Sequence, residues 1–185
     1  MRNALFKSKI ESDSHEREND MIRDAVIEDL PELLEIYNYE VLNGNATFDE
    51  VEETYRQRKE WFSHFTGKYP LLVEVRDGKV VGYAGAYELF PKPAYHISAE
   101  VTLYIAKEFR GQGIGERLLG ALIERVKGEG QIEALFSLIT ATNEGSIRLH
   151  EKMGFSHDGV LRSSGIKFGE RLDVEIYRLD VRTER

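Results

Sequence analysis

Residues 100–117 read EVTLYIAKEFRGQGIGER. The first part, Val101-Thr-Leu-Tyr-Ile105, is rich in β-branched and aromatic side chains and predicts a strand. A polar bend follows, and then Arg110-Gly-Gln-Gly-Ile-Gly115. Beyond it apolar residues fall at Ile114, Leu118, Leu119, Leu122, Ile123 and Val126, the spacing of one face of an amphipathic helix. A strand therefore ends, the backbone turns through glycines, and a helix begins. The first N–H groups of a helix have no internal partner, and the helix dipole favours negative charge beside them. Glycine permits positive φ and a close approach of backbone to ligand. The stretch reads as a cradle for a phosphate or pyrophosphate. A glycine-rich strand-to-helix turn that binds nothing is the alternative.

Two common nucleotide motifs do not fit it. The dinucleotide fingerprint spaces its glycines G-x-G-x-x-G, whereas Gly111, Gly113 and Gly115 are spaced G-x-G-x-G. A P-loop needs G-K-[ST] at the helix start, and Gly115-Glu116-Arg117 does not supply it.

The rest of the chain sets limits on what the cradle serves. Its 185 residues suffice for one domain with a sizeable core, and 41% hydrophobic with 31% charged residues suits a globular protein. A net charge of −8 argues against nucleic acid or an anionic membrane as the main partner. There is no cysteine, so disulfides, thiolate catalysis and cysteine metal sites are excluded, and the redox compartment is left open. The five histidines show no metal-ligand spacing, and no metal is expected. No apolar run approaches the roughly 20 residues of a membrane helix, and no secretory signal is visible. The expected location is the cytoplasm.

Residues 1–20 stand apart as a polar, flexible tail, because Ser8 to Asp20 is almost wholly polar or charged. A single folded domain is expected over 21–185. Met21 to Val26 predicts a first strand. Asp29 followed by Glu32 predicts a capping box for a helix carrying Leu30, Leu33, Leu34, Ile36, Tyr37 and Val41. Asn43-Gly44-Asn45 ends it. A second helix is expected over about Thr54 to Phe65. Leu71–Val75 and Val80–Ala84 flank Asp77-Gly78, a strong hairpin signal. After the elbow helix come a buried strand at Ala134–Thr140, a helix from Asn143 to Gly154, and closing strands at Phe155–Val160 and Leu172–Leu179. The predicted order, β-α-α-β-β-β-α-β-α-β-β, describes a mixed sheet covered by helices, so the fold class is α/β (or α+β).

A second polar group lies in Asn143 to Phe155, NEGSIRLHEKMGF. On a helix Asn143, Ile147, His150 and Gly154 share one face. An N-capping asparagine with a packed histidine is one reading of that face, and a ligand wall is the other.

Together, R-x-x-G-x-G at 110–115 and N-x-x-S-I-x-L-H-E-K-x-G-F at 143–155 resemble the cofactor half of the GNAT superfamily of N-acetyltransferases. The resemblance to one branch, the phosphinothricin and methionine sulfoximine/sulfone N-acetyltransferases, extends further. It includes IYNYEVLNGNATFDE (36–50), PKPAY (91–95), E-x-T-L-Y-I (100–105) and IKFGERLDV (166–174), and so runs from Met21 to about Asp180. The resemblance implies a GNAT-like mixed central sheet with helices on both faces. It implies acetyl-CoA as co-substrate, a small-molecule amine as acceptor, and a homodimer. It assigns the pantetheine arm to the backbone of Leu103, Tyr104 and Ile105. The pyrophosphate falls to Arg110, Gly111, Gln112, Gly113, Ile114 and Gly115, and the thioester side to Asn143 and Ser146. Phe48, Lys92 and Tyr95 fall around the acceptor. Two features depart from the branch: Phe90 and Lys92 stand where it carries arginines, and Arg171 stands where it often carries tryptophan.

Acetyl transfer to an ammonium needs a base, a stabilised oxyanion and a proton for the leaving thiolate. The resemblance makes Glu100 the general base and His150 the acid or a water-orienting group. The amide N–H of Leu103 or Tyr104 would polarise the thioester carbonyl. With no cysteine to carry an acetyl group, direct attack in a ternary complex is expected. Acetylation of a polyamine, an aminoglycoside or a protein amino terminus is the second enzymatic reading. A non-catalytic acyl-CoA-binding domain is the third, and an ionisable residue at position 100 counts against it.

Overall fold

The computed structural model describes residues 21–182, and the predicted N-terminal tail lies outside the described residues. Why the chain forms a two-faced sheet is visible in one strand, Leu71–Arg76. Its side chains alternate in direction, as a pleat requires. Leu71, Val73 and Val75 pack with Leu30, Leu33, Ile36 and Tyr83. Leu72 instead joins Val81, Ala84, Leu118, Leu119 and Leu122 on the other face.

The strands are β1 (Met21–Asp24), β2 (Leu71–Arg76), β3 (Lys79–Glu88), β4 (Ser98–Ile105), β5 (Ala134–Thr140), β6 (Ser156–Lys167) and β7 (Glu170–Asp180). They form one sheet in the order β1-β2-β3-β4-β5-β7-β6, in which β4–β5 is parallel and the other pairs antiparallel. Helices α1 (Leu30–Asn43) and α2 (Tyr55–Phe62) cover the first face, α2 through Trp61 and Phe62. Helices α3 (Ile114–Glu129) and α4 (Glu144–Lys152) cover the second. The expected α/β class, mixed sheet and two helical layers are all present.

Three local expectations change. The Asp29–Glu32 capping box does not form, because Asp29 already has helical backbone angles (φ −76°, ψ −15°). Its carboxylate turns back to accept from Val26 N at 2.8 Å and from the Arg23 guanidinium at 2.7 and 2.8 Å. That pairing holds the Asp29 carboxyl below its ordinary range against the opposing effect of burial. The predicted β4 starts three residues early, at Ser98, and so gains the rungs that pair with β5. The closing strands are longer than predicted and form a hairpin turned at Phe168-Gly169, both at positive φ (52° and 81°). Arg162–Gly165 had no alternating pattern because the ladder slips there, between Leu161 and Gly165. The Asp77-Gly78 turn is as predicted, with φ of 48° and 76°.

Candidate active site

β4 and β5 pair only over Ser98–Glu100 against Ala134–Phe136. Beyond that rung they diverge. Val101–Ile105 keep partners on β3, and Ser137–Thr140 keep partners on β7. The edges that face each other have no strand between them, and backbone N–H and C=O groups along such an edge are strong, unspent hydrogen-bonding groups. A cavity of about 570 Å³ occupies the wedge, with Leu103 and Tyr104 on one wall, Ser137 and Thr140 on the other, and Asn143, Ser146 and His150 of α4 closing it. The sequence-predicted Leu103, Tyr104, Asn143, Ser146, His150 and Glu100 are thus brought together. Ile105 follows at the end of the same strand.

The glycine elbow lies where β4 runs out. Gly111 and Gly113 take φ of 74° and 77°, where an ordinary side chain costs about 1–2 kcal/mol. A Cβ on Gly111 would meet nothing within 4 Å, so the elbow presents bare backbone to open space. Arg117 N bonds Gly113 O at 3.2 Å, which leaves the preceding helix-start amides of Ile114, Gly115 and Glu116 without an acceptor inside α3. Arg110 is a brace: Nε donates to Ile105 O at 3.1 Å, and the guanidinium pairs with the buried Glu40. Gln112 is held through Oε1 by Arg76 (2.9 Å) and through its carbonyl by Arg117 (3.2 Å). Arg117 also donates to the buried Glu74 at 3.2 Å. Sequence reading named the loop but not Glu74, Arg76 and Arg117, which come from β2 and the first turn of α3 and hold it in shape.

Glu100 occupies the last paired rung, at the vertex of the wedge, opposite Tyr87 on β3. Burial pushes its carboxyl up from the ordinary glutamate value, and the facing Tyr87 moderates the shift. A carboxylate raised in this way is a better proton acceptor near neutrality.

His150 is buried. Its Nδ1 lies 2.8 Å from Ser146 O, and since a carbonyl only accepts, Nδ1 carries the proton. Burial pushes the imidazole below its ordinary value, so the ring is neutral with a lone pair on Nε2. Three buried polar atoms of lining residues have no hydrogen-bond partner among the described residues: Arg58 Nε and, where α4 closes the wedge, the pair His150 Nε2 and Ser137 Oγ. Buried polar groups in native proteins are satisfied with few exceptions, so that pair fits a polar ligand in the wedge. Asn143 caps α4, with Oδ1 accepting from Ser146 N at 3.2 Å.

The far end of the cavity is lined by Tyr37, Phe48, Glu53, Arg58 and Trp61. Phe48 is where the sequence reading expects an acceptor contact. Lys92 and Tyr95 are not on the wall; both are exposed on the loop after β3, where the Tyr95 ring packs on Phe90. Arg58 was missed. It is 1% exposed and lies between the Trp61 ring (3.5 Å) and the Tyr37 ring (4.4 Å), with Nη1 reaching Glu53 at 3.4 Å. Among the lining residues it is the one permanent cation. Its only sequence signal was a basic residue three before a tryptophan, which also describes an ordinary helix surface.

The model of the acetyltransferase (GNAT) family matches residues 31–155. An L-methionine sulfoximine/L-methionine sulfone acetyltransferase of Pseudomonas aeruginosa is 36% identical over 86% of this chain and 94% of its own. A phosphinothricin N-acetyltransferase of Alcaligenes faecalis is 37% identical over 79% of this chain and 75% of its own. Among solved structures, a GNAT superfamily phosphinothricin acetyltransferase from Sinorhizobium meliloti, in complex with AcCoA, is 34% identical, with a TM-score of 0.84 over 88% of this chain and 89% of that one. The chain belongs to the GNAT family of acetyl-CoA-dependent N-acetyltransferases.

Proposed function

We propose that the chain moves the acetyl group of acetyl-CoA to the amine of a small amino-acid-like acceptor, of the phosphinothricin or methionine sulfoximine/sulfone kind, by direct attack with both substrates bound. The observation that carries the reading is the place of Glu100, a half-buried carboxylate with a raised pKa at the vertex where β4 and β5 separate. The backbone of Leu103, Tyr104 and Ile105 on the open edge of β4 holds the extended arm. The elbow from Arg110 to Gly115 holds the pyrophosphate on helix-start amides, and Asn143 and Ser146 border the thioester end. The bound thioester supplies the acetyl carbon and the thiol leaving group. Glu100 takes the proton of the acceptor ammonium, directly or through a water. An amide of Leu103 or Tyr104 and the unpartnered Ser137 hydroxyl are placed to steady the carbonyl oxygen. His150 is a poor acid here, since its one N–H is committed to Ser146 O and burial keeps it neutral. It serves instead as an acceptor at Nε2 or as packing under α4.

One observation favours another amine. Lys92 is away from the cavity, and Arg58 inside it is already faced by Glu53. An acceptor carboxylate would meet a guanidinium already paired with Glu53, with its Nε left unpartnered, which suits a polyamine or another acceptor without a carboxylate. We also read the enzyme as a cytoplasmic homodimer. Apolar side chains exposed on the outer hairpin, Leu161, Ile166 and Phe168, support the second copy. Among the described residues no helix is long and apolar enough to cross a membrane.

The test is a thiol-release screen with acetyl-CoA over phosphinothricin, methionine sulfoximine, methionine sulfone, its decarboxylated amine and polyamines. Turnover of the amino acid analogues supports the first reading. Turnover confined to amines without a carboxylate replaces it with the second.

A further inference from the structure

Residues 44–49 have no regular secondary structure, yet Ala46, Thr47 and Phe48 form part of the cavity wall. Three successive carbonyls of this segment are each met by a side chain from a different strand. Thr140 Oγ1 of β5 donates to Asn45 O at 2.6 Å, Tyr104 OH of β4 to Ala46 O at 3.1 Å, and Lys167 Nζ of β6 to Thr47 O at 2.7 Å. Lys167 also reaches Glu40 O, in the last turn of α1, at 3.3 Å. Glu40 O also accepts the capping N–H of Gly44 at 2.9 Å, and the C-terminal end of a helix favours a cation, so this ammonium is well placed.

Lys167 is 1% exposed. A buried ammonium is costly unless its protons are all used, and a leucine or methionine would fill the same volume without that cost. What the ammonium adds is a hold on the carbonyl next to Phe48. Gly165 lies two residues back on the same side of β6, as period-2 geometry requires. A Cβ on Gly165 would overlap the Phe48 ring. One face of β6 therefore supplies both the floor beneath Phe48 and the donor to the residue beside it.

We propose that Lys167 is a positioning residue for the acceptor pocket: its ammonium ties the 44–49 segment to the outer hairpin and sets the depth at which Phe48 enters the cavity over Gly165. The inference rests on the reading that this end of the cavity takes the acceptor. Lys167→Met removes the donor and keeps the volume. It should raise KM for the acceptor about tenfold, the loss of one charge-assisted hydrogen bond, while KM for acetyl-CoA changes less than about twofold. Gly165→Ala pushes the Phe48 ring by a different route and should also raise the acceptor KM. Both effects should shrink below about twofold in a Phe48→Ala background, because contacts that act through one group are not additive.

A second readout needs no acceptor. Amide hydrogen exchange over residues 44–49 should quicken about tenfold in Lys167→Met, with β4 unchanged. Should that variant not fold, Lys167→Gln, which loses the charge and the full reach to Thr47 O, should shift the acceptor KM and the exchange in the same direction. An unchanged acceptor KM with unchanged exchange overturns the proposal. So does a KM effect that persists in the Phe48→Ala background, or a fall in melting temperature with both KM values moving together. If wild type acetylates no amine, the acceptor reading fails in that assay alone, and exchange still decides whether Lys167 holds the segment.

Discussion

The two ends of the cavity are built by opposite means. The end proposed for acetyl-CoA is made of backbone: the open edge of β4, the elbow and the first amides of α3, contiguous between Glu100 and Arg117. The end proposed for the acceptor is made of side chains from α1, the 44–49 segment, α2 and β3, with β6 beneath. Backbone presents the same groups whatever the side chains are, so the first end suits a constant partner. Side chains carry shape and charge, so the second end suits a partner that must be selected. Variants at the vertex, at the elbow and at the acceptor end test that division.

The largest effect belongs to the vertex. Glu100→Gln should lower kcat by about 10²–10⁴-fold, the usual loss for a general base, with acetyl-CoA affinity by calorimetry little changed. The same variant should be more stable at neutral pH. A carboxyl whose pKa is raised by folding binds more protons native than unfolded, so its contribution to stability is lost as pH rises through the raised value. Glutamine carries no such penalty. Melting curves should show the gain at pH 7 and its disappearance at acid pH. Near-normal kcat would make Glu100 structural.

At the elbow, Gly113→Ala asks alanine to hold a φ of 77°. A relaxed loop must pay about 1–2 kcal/mol to rebuild the cradle, so acetyl-CoA should bind about 5–30-fold more weakly. KM for the acceptor should stay within experimental spread. An equal rise in both would mean the two ends are not separable.

Thr140→Val removes the donor to Asn45 O and keeps the shape. One lost neutral hydrogen bond, about 1 kcal/mol, predicts a rise of about fivefold in acceptor KM. Steady-state kinetics with acetyl-CoA saturating would show it, and an effect on acetyl-CoA alone would break the comparison from the other side.

The smallest change is expected at Lys92. Its exposed position away from the wall predicts that Lys92→Ala changes KM for methionine sulfone less than about twofold, the usual result for a solvated charge. A rise confined to methionine sulfone and absent for its decarboxylated amine would bring the loop from Phe90 to Tyr95 into the acceptor end after all.

Legibility in the sequence follows the same division. The strand, elbow and helix of residues 100–129 could be read directly, since hydrophobic spacing and glycine positions report local backbone shape. Glu100 was readable as the head of that strand, and Asn143 as a helix start. Arg58 and Lys167 were not. Each is a cation among polar neighbours in the sequence, and only long-range packing buries it, one between two aromatic rings and the other under two carbonyls. Ser137 and Thr140 had a faint signal, as the polar residues of an otherwise apolar strand.

The sequence by itself determined the mixed sheet, the place of the elbow and the class of chemistry. Those depend on interactions between residues a few positions apart, which periodicity records. Only the tertiary structure decided where β4 leaves β5, which puts Glu100 at the vertex and opens the cavity. Only it decided that His150 is neutral, that Phe48 is inside and Lys92 outside, and that a lysine on the last hairpin holds a loop about 120 residues earlier. Burial and desolvation are properties of what surrounds a side chain in space, and neighbours in sequence do not specify them.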